Sequence, residues 1–231
     1  MMSMKVKNKM QPFIHNLIDL PKLTVTNTPK GRYYTTPDGN IYPSITTILS
    51  KNPEKIASLQ EWRARVGEVE ANRISVTSAS RGTALHNLME NYVMKGVTCE
   101  VFKTPILKKM FFQCRDVIND NLEEVYSAET SLYSDFLKVT GTPDMICRWA
   151  GRNTVVDYKS SLKPKPEKYI LDYFLQTTAY AIMFEERTGI RIPGLVVIIN
   201  NVDGDIQVFW KNCRDYVEPL IKTLENNRRH L

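Results

Sequence analysis

Three charged side chains on two short apolar runs carry the chemistry open to this sequence. In Thr154-Val155-Val156-Asp157-Tyr158-Lys159-Ser160, an extended chain sends successive side chains to opposite faces. Asp157 and Lys159 then share a face, about 6.8 Å apart along the strand. Upstream, Gly141-Thr142-Pro143-Asp144 leads into the apolar Met145-Ile146-Cys147, so Asp144 stands at the entrance of a strand. Asp38 is an internal control: its Thr36-Pro37-Asp38 is followed by Gly39 and reads as a plain turn. If the strands of Asp144 and Asp157 pair through the turn Gly151-Arg152-Asn153, both carboxylates reach one divalent ion. Two carboxylates with a backbone carbonyl and waters suit Mg²⁺ or Mn²⁺, and the lack of clustered Cys and His argues against zinc. A lysine beside such an ion orients a water nucleophile or stabilises a crowded phosphate. Taken alone, Asp157 and Lys159 also read as an exposed ion pair on a strand.

Further polar residues join this set. His86 and Glu90 lie four apart on a helical run whose apolar positions Leu85, Leu88, Met89 and Tyr92 cover the other side. Gln176 and Tyr180 are again four apart, among Phe174, Leu175, Ala179, Ile182 and Met183. A lone helical histidine is commonly structural, and so is a Gln and Tyr pair at helical spacing. Lys159, Lys163, Lys165 and Lys168 stand against Glu167 alone, a local excess suited to steering phosphates. Trp62, Tyr92, Phe111 and Phe112 either stack on unpaired bases or, as helical spacing commonly means, fill a core.

The elements that must position these residues are legible as periods and punctuation. Tyr33-Tyr34 and Ile41-Tyr42 flank the Thr-Pro-Asp-Gly turn and predict a hairpin, after which Ser44 caps a short helix over 45–49. Helical spacing predicts helices over 53–75 and 81–94, and Pro105 opens a third whose stripe includes Leu107, Met110, Phe111 and Cys114. The period then changes to strands over 125–133, 139–149 and 154–160, followed by a basic loop, 162–166, and a helix over 167–187 ended by Gly189. A hairpin (195–200 and 206–210) and a helix over 216–229 complete the chain. The weakly periodic residues 1–31 predict an arm, with at most one helical turn around 13–20.

Composition bounds the rest. At 231 residues, 42% apolar and 24% charged, the chain is globular and better suited to one domain with decorations than to two. It lacks an apolar run of about 18 residues and a secretory leader, which predicts a soluble, unsecreted protein with no membrane partner. Cys99, Cys114, Cys147 and Cys213 are too scattered for a disulfide framework or a zinc site, so they predict reduced thiols. The formal charge is +6, of which residues 1–32 hold six Lys and Arg against Asp19 alone. Such an arm either meets a polyanion or aids solubility.

Five motifs then fall in order: Arg81-Gly82-Thr83-Ala84-Leu85-His86, Glu129, Gly141-Thr142-Pro143-Asp144, Val155-Val156-Asp157-Tyr158-Lys159-Ser160-Ser161 and Gln176-Thr177-Thr178-Ala179-Tyr180. This ordered set resembles the RecB-like branch of the PD-(D/E)XK nuclease superfamily. Tyr42-Pro43-Ser44-Ile45-Thr46-Thr47-Ile48-Leu49 is similar to the mitochondrial genome maintenance exonucleases and their phage relatives. The resemblance implies an α/β restriction-endonuclease-like core with a mixed central sheet flanked by helices. It places a basic arm at 1–31 and one nuclease domain at 32–231, helical over 44–122, with the catalytic sheet over 125–210 and the closing helix over 216–229.

It further implies that Asp144, Asp157 and the Tyr158 carbonyl bind Mg²⁺, with Mn²⁺ as a substitute, and that His86 is a further ligand. Lys159 would activate water; Gln176 and Tyr180 would support the site or the DNA; Glu129 would be a ligand or a supporting carboxylate. Arg81, Ser160, Lys163 and Lys165 would support the site or bind DNA. Lacking the cysteine spacing of the iron-sulfur members, the chain is expected to hold no iron-sulfur cluster.

The implied activity is degradation of single-stranded DNA from free ends, in replication, recombination or repair, with proteins of those processes as partners. A structure-specific endonuclease, or a silent DNA-binding recombination accessory, remains the alternative. A phage-infected or bacterial cytoplasm is expected over mitochondria, because lysines and Asp19 replace an arginine-rich presequence.

Overall fold

The computed structural model describes residues 13–96 and 102–230. Lys5, Lys7 and Lys9 of the expected arm, and Cys99, lie outside them. The first strands are β1 (Ile14–His15), β2 (Thr24–Thr28), β3 (Gly31–Thr35) and β4 (Ile41–Pro43). The expected hairpin is β3 and β4, with Tyr34 opposite Tyr42. The segment expected as an arm is partly strand: β2 extends that hairpin to three strands, and β1 pairs in parallel with a strand of the main sheet. No helical turn forms at residues 13–20, because Phe13 stacks edge-on to Tyr92 and His15 Nε2 bonds to the Val93 carbonyl at 2.9 Å.

Ser44 caps α1 (Ile45–Leu49) by accepting from the Thr47 N–H, as its position predicts. Next come α2 (Pro53–Val66) and α3 (Glu68–Lys95). The break falls at Gly67, whose φ of 85° lies in the region glycine alone adopts without cost, and not in the 76–80 stretch. That Val-Thr-Ser-Ala-Ser stretch is weak in helix propensity, yet it lies inside a 28-residue helix whose core face is Leu85, Met89, Tyr92 and Val93. The stripe expected to bury α2 does not: no residue of α2 is buried, and Ile56 and Leu59 are exposed.

Helix α4 (Pro105–Asn121) is capped by Thr104 and carries the predicted apolar stripe. The meander follows as β5 (Leu122–Ala128), β6 (Leu132–Ser134), β7 (Val139–Gly141), β8 (Met145–Trp149) and β9 (Arg152–Ser161). The reversal between β8 and β9 sits at Ala150-Gly151, both at positive φ, so Arg152 and Asn153 belong to the strand and not to the turn. Residues Glu167–Tyr169 form a separate 3₁₀ turn before α5 (Leu171–Thr188), because Ile170 leaves helical geometry. The chain ends with β10 (Gly194–Asn201), β11 (Gln207–Asn212) and α6 (Arg214–Arg228).

The main sheet has the order β1-β5-β8-β9-β10-β11, parallel at β1/β5 and β9/β10 and antiparallel elsewhere. It is therefore mixed, as expected, with helices on both faces. Strand alternation divides the core. Val156, Tyr158, Val196 and Ile198 pack with α3 and α4, whereas Val155 and Leu195 pack with α1, α5 and α6. Every residue of β10 is buried, as a parallel strand covered on both faces requires. Among the described residues no helix is long and apolar enough to cross a membrane. Cys114 and Cys147 are free and buried, and Cys213 is free and half-buried.

Candidate metal and catalytic site

The β8/β9 ladder decides where the two aspartates meet. Met145 lies opposite Val156, which puts Asp144, one residue outside the ladder, beside Asp157 and Tyr158. Asp144 Oδ2 accepts the Tyr158 N–H at 2.6 Å, and its Oδ1 lies 3.1 Å from His86 Nδ1. His86 comes from α3 and donates Nε2–H to the Tyr158 carbonyl at 2.9 Å. Glu129, at the end of β5 with φ 48°, brings Oε1 to 4.0 Å from His86 Nδ1. Among the described residues, one ligand atom each from His86, Glu129 and Asp144 lies within 4.8 Å of the others.

Asp157 has a different set of neighbours. Its side chain points to the α5 face of the sheet, where Gln176 Nε2 donates to Oδ1 at 3.2 Å and to the Tyr180 hydroxyl at 2.9 Å. Lys159, on the same face as predicted, places Nζ 2.5 Å from Asp157 Oδ2. Both oxygens of this carboxylate thus have a partner, Gln176 on Oδ1 and Lys159 on Oδ2. Asp157 is only 1% exposed, so the pair is buried and the reading of an exposed strand ion pair fails. In this arrangement Asp144 faces His86 and Glu129, while Asp157 faces Lys159 and Gln176. The expected pair is thus adjacent across the ladder, each carboxylate with its own further contacts. Glu129, whose role the sequence left open, joins the cluster.

The electrostatics follow from crowding charge into a dry site. Burial opposes a charged His86, but the hydrogen bond with Asp144 and the charges of Asp144 and Asp157 outweigh it and raise its pKa to about 9. To ligate a metal, His86 has to give up that proton. Burial and the nearby Asp144 charge push Glu129 up to about 7. Asp157 is also raised, by burial against the opposing pull of Lys159. Burial alone would lower Lys159; Asp157 and Asp144 hold it above the ordinary lysine value. Carboxylates crowded this closely in a dry site fit a divalent cation with oxygen preference.

Tyr173 is a residue that sequence reasoning missed. Its ring lies under both Lys159 Nζ, at 5.2 Å, and Lys165 Nζ, at 5.5 Å, and its hydroxyl accepts from Lys165 at 3.1 Å. Its signal was the helical face it shares with Gln176 and Tyr180, three and seven residues on, a spacing that aromatics in cores also show. Lys165 is further fixed by reciprocal bonds between its backbone and the Gln207 amide. Lys163 is exposed, and its carbonyl accepts from Ser161 Oγ. Ser160 packs beneath Gly82, where a side-chain carbon would stand 3.5 Å from its Oγ. Arg81 is apart from the carboxylates and bonds to Ser78 Oγ at 3.3 Å. Of the candidate stacking aromatics, Tyr92 and Phe111 are buried in mutual edge contact, and Phe112 is half-buried in the same cluster. Trp62 is half-buried on α2.

Residues 102–201, which hold β5, β8, β9 and β10 of the main sheet together with Glu129, Asp144, Asp157, Lys159, Gln176 and Tyr180, match the model of the PD-(D/E)XK nuclease superfamily. These residues, under half of the chain, are similar to a PD-(D/E)XK nuclease family domain. It is similar at low identity to mitochondrial genome maintenance exonuclease 1. The human protein is 25% identical over 174 residues, covering 71% of this chain and 51% of the relative. That of Xenopus tropicalis is 27% identical over 177 residues, covering 70% and 49%. The chain thus spans about half the length of the curated relatives it matches. Among solved structures, that of SSO0001 aligns over 80% of this chain and 74% of its own, with a TM-score of 0.43 and 15% identity.

Proposed function

We propose that this chain is a metal-dependent DNA exonuclease that hydrolyses phosphodiester bonds from the free ends of single-stranded DNA. The observation that carries the reading is the meeting of Asp144, Asp157 and Lys159 at one end of the β8/β9 ladder, beside His86 of α3. Mg²⁺ or Mn²⁺, held by Asp144 and Asp157 with Glu129, His86 and the Tyr158 carbonyl as further donors, would supply a Lewis acid for the phosphate and an acidified water.

The chain's own residues supply positioning. Gln176, itself tied to Tyr180, fixes one oxygen of Asp157, and Lys159 holds the other. Lys159 rests on the Tyr173 ring and holds an ammonium ready for the charge that develops on the reacting phosphate. Lys163, Lys165 and Lys168 on the following loop, with Arg81 and Ser160 near the end of β9, bind the strand's phosphates. The curated relatives bear the name exonuclease, which favours this reading over an endonuclease with the same site.

The test is digestion of end-labelled linear single strands and matched circular ones, with and without Mg²⁺. Degradation of the linear strand alone, dependent on Mg²⁺, supports the reading. Rapid cleavage of the circle replaces it with the endonuclease, and no cleavage of either form, with DNA still bound, replaces it with a binding accessory.

A further inference from the structure

Helices α3 and α4 enclose a cavity of about 410 Å³ outside the carboxylate site. Val76, Ala84 and Ile106 give it apolar walls, and Ser80 adds a hydroxyl. Arg81 and Lys103 are the charges on its described lining, which includes no acidic residue. Val76 and Ile106 are 70% and 44% exposed, apolar surface left beside two cations. The Arg81 guanidinium is only partly spent: its bond to Ser78 leaves Nε buried without a partner. The chain joins this cavity to the proposed site, since Gly82 follows Arg81 and packs on Ser160, which follows Lys159.

Apolar walls and two cations, with no carboxylate on the described lining, complement a ligand with a flat, weakly polar body and a compact negative charge. A volume of this size falls in the range of small-molecule sites. We infer that the cavity between α3 and α4 binds one nucleoside phosphate unit, its base against Val76, Ala84 and Ile106 and its phosphate on Arg81 and Lys103. The inference rests on the nuclease reading and deepens it to a strand-binding subsite across α3 from the carboxylates. The unit is either a nucleotide within the strand or a released mononucleotide.

Binding is measured with the full chain in EDTA, so that no cleavage intervenes, using labelled oligothymidylate and, separately, dTMP. Two variants are compared with the unaltered protein at matched thermal stability. Arg81→Ala with Lys103→Ala removes the cations, and Ser80→Trp fills the space. Each variant weakens binding of the occupying probe by about tenfold or more, the scale of a lost charge-assisted contact. For the oligonucleotide, the cation variant also lowers the slope of log affinity on log salt by about 0.7, the value of one phosphate contact.

Loss confined to oligothymidylate assigns the cavity to the strand, and loss extending to dTMP assigns it to the mononucleotide. Unaltered binding of both probes by both folded variants overturns the inference, whether or not the protein cleaves DNA. Absence of Mg²⁺-dependent cleavage by the unaltered protein overturns the nuclease reading instead, and the dTMP measurement still decides the cavity.

Discussion

At the scale of single residues, Lys159 has the narrowest task. Its ammonium is bracketed by Asp157 Oδ2 at 2.5 Å and the Tyr173 ring at 5.2 Å, so it is positioned before any substrate arrives. Removing one strong contact to a reacting group costs on the order of 10²- to 10³-fold in rate. Lys159→Ala is therefore expected to lower kcat by that amount while DNA binding in chelator changes little. A loss that appears mainly as weaker binding would assign Lys159 to phosphate steering, with Lys163 and Lys165.

Gly141 is the second residue whose identity the geometry fixes. A side-chain carbon there would stand 2.5 Å from Tyr180 Cε1 and 3.2 Å from Ile45 Cγ2. Overpacking of this kind costs about 1–3 kcal/mol. Because Tyr180 supports Gln176, and Gln176 holds Asp157, Gly141→Ala is expected to lower both denaturant stability and turnover. Unchanged turnover in a destabilised protein would show that the Tyr180 ring does not transmit to the site.

At the scale of elements, α2 and α3 differ in what holds them. A helix of 14 residues is marginal in water on its own, and α2 buries none of its residues. Its ties are the turn at Gly67, the Arg63 contacts with Glu68 and Asn72, and Lys55 to Asp172 at 2.6 Å. Exposed ion pairs of that kind contribute about 0–1 kcal/mol. Native-state hydrogen exchange is accordingly expected to be many-fold faster in α2 than in the stretch of α3 that buries Leu85, Met89 and Val93. Equal protection would mean that α2 opens only with the whole protein.

The same two helices mark where the sequence was legible. Capping by Ser44, the proline start of α4 and the period-two runs around Asp144 and Asp157 are local signals, and the structure follows them. So does the shared face of Asp157 and Lys159, because alternation along a strand is a property of the backbone. The split at Gly67 was less visible, since a glycine inside a helical pattern signals either a tolerated cost or a break. Strand β1 had no local signal at all: two residues pair with β5 through contacts made 110 residues downstream. Glu129 was ambiguous for a related reason, its place beside His86 being set by the end of β5 and a positive φ, not by spacing.

At the scale of the molecule, the site is assembled from four parts of the chain: α3, the end of β5, the β8/β9 ladder and α5. Lys55 of α2 reaches Asp172 at the start of α5, so a helix from the α3 side spans to the α5 side near the end of β9. On the proposed reading this span admits a flexible strand from its end and excludes a duplex about 20 Å wide, a steric argument made from the fold. Lys55→Glu, which sets like charges against each other there, is then expected to relax the discrimination between linear and circular single strands. Unchanged discrimination would place the entry elsewhere.

Asp157 is the residue on which the proposed chemistry depends most. Its carboxylate is almost wholly buried and held above the ordinary carboxylate range by burial and by Asp144, against the pull of Lys159 2.5 Å away. Asp157→Asn keeps the shape, removes the charge that would hold the metal, and leaves the Lys159 ammonium without its partner. The most direct test compares Mg²⁺-dependent cleavage of linear single-stranded DNA with the melting temperature in EDTA for the two proteins. Asp157→Asn is expected to stay folded in EDTA, at a lowered melting temperature, and to cleave nothing above background at any Mg²⁺ concentration; cleavage at the unaltered rate by the folded variant would contradict the placing of Asp157 on the metal.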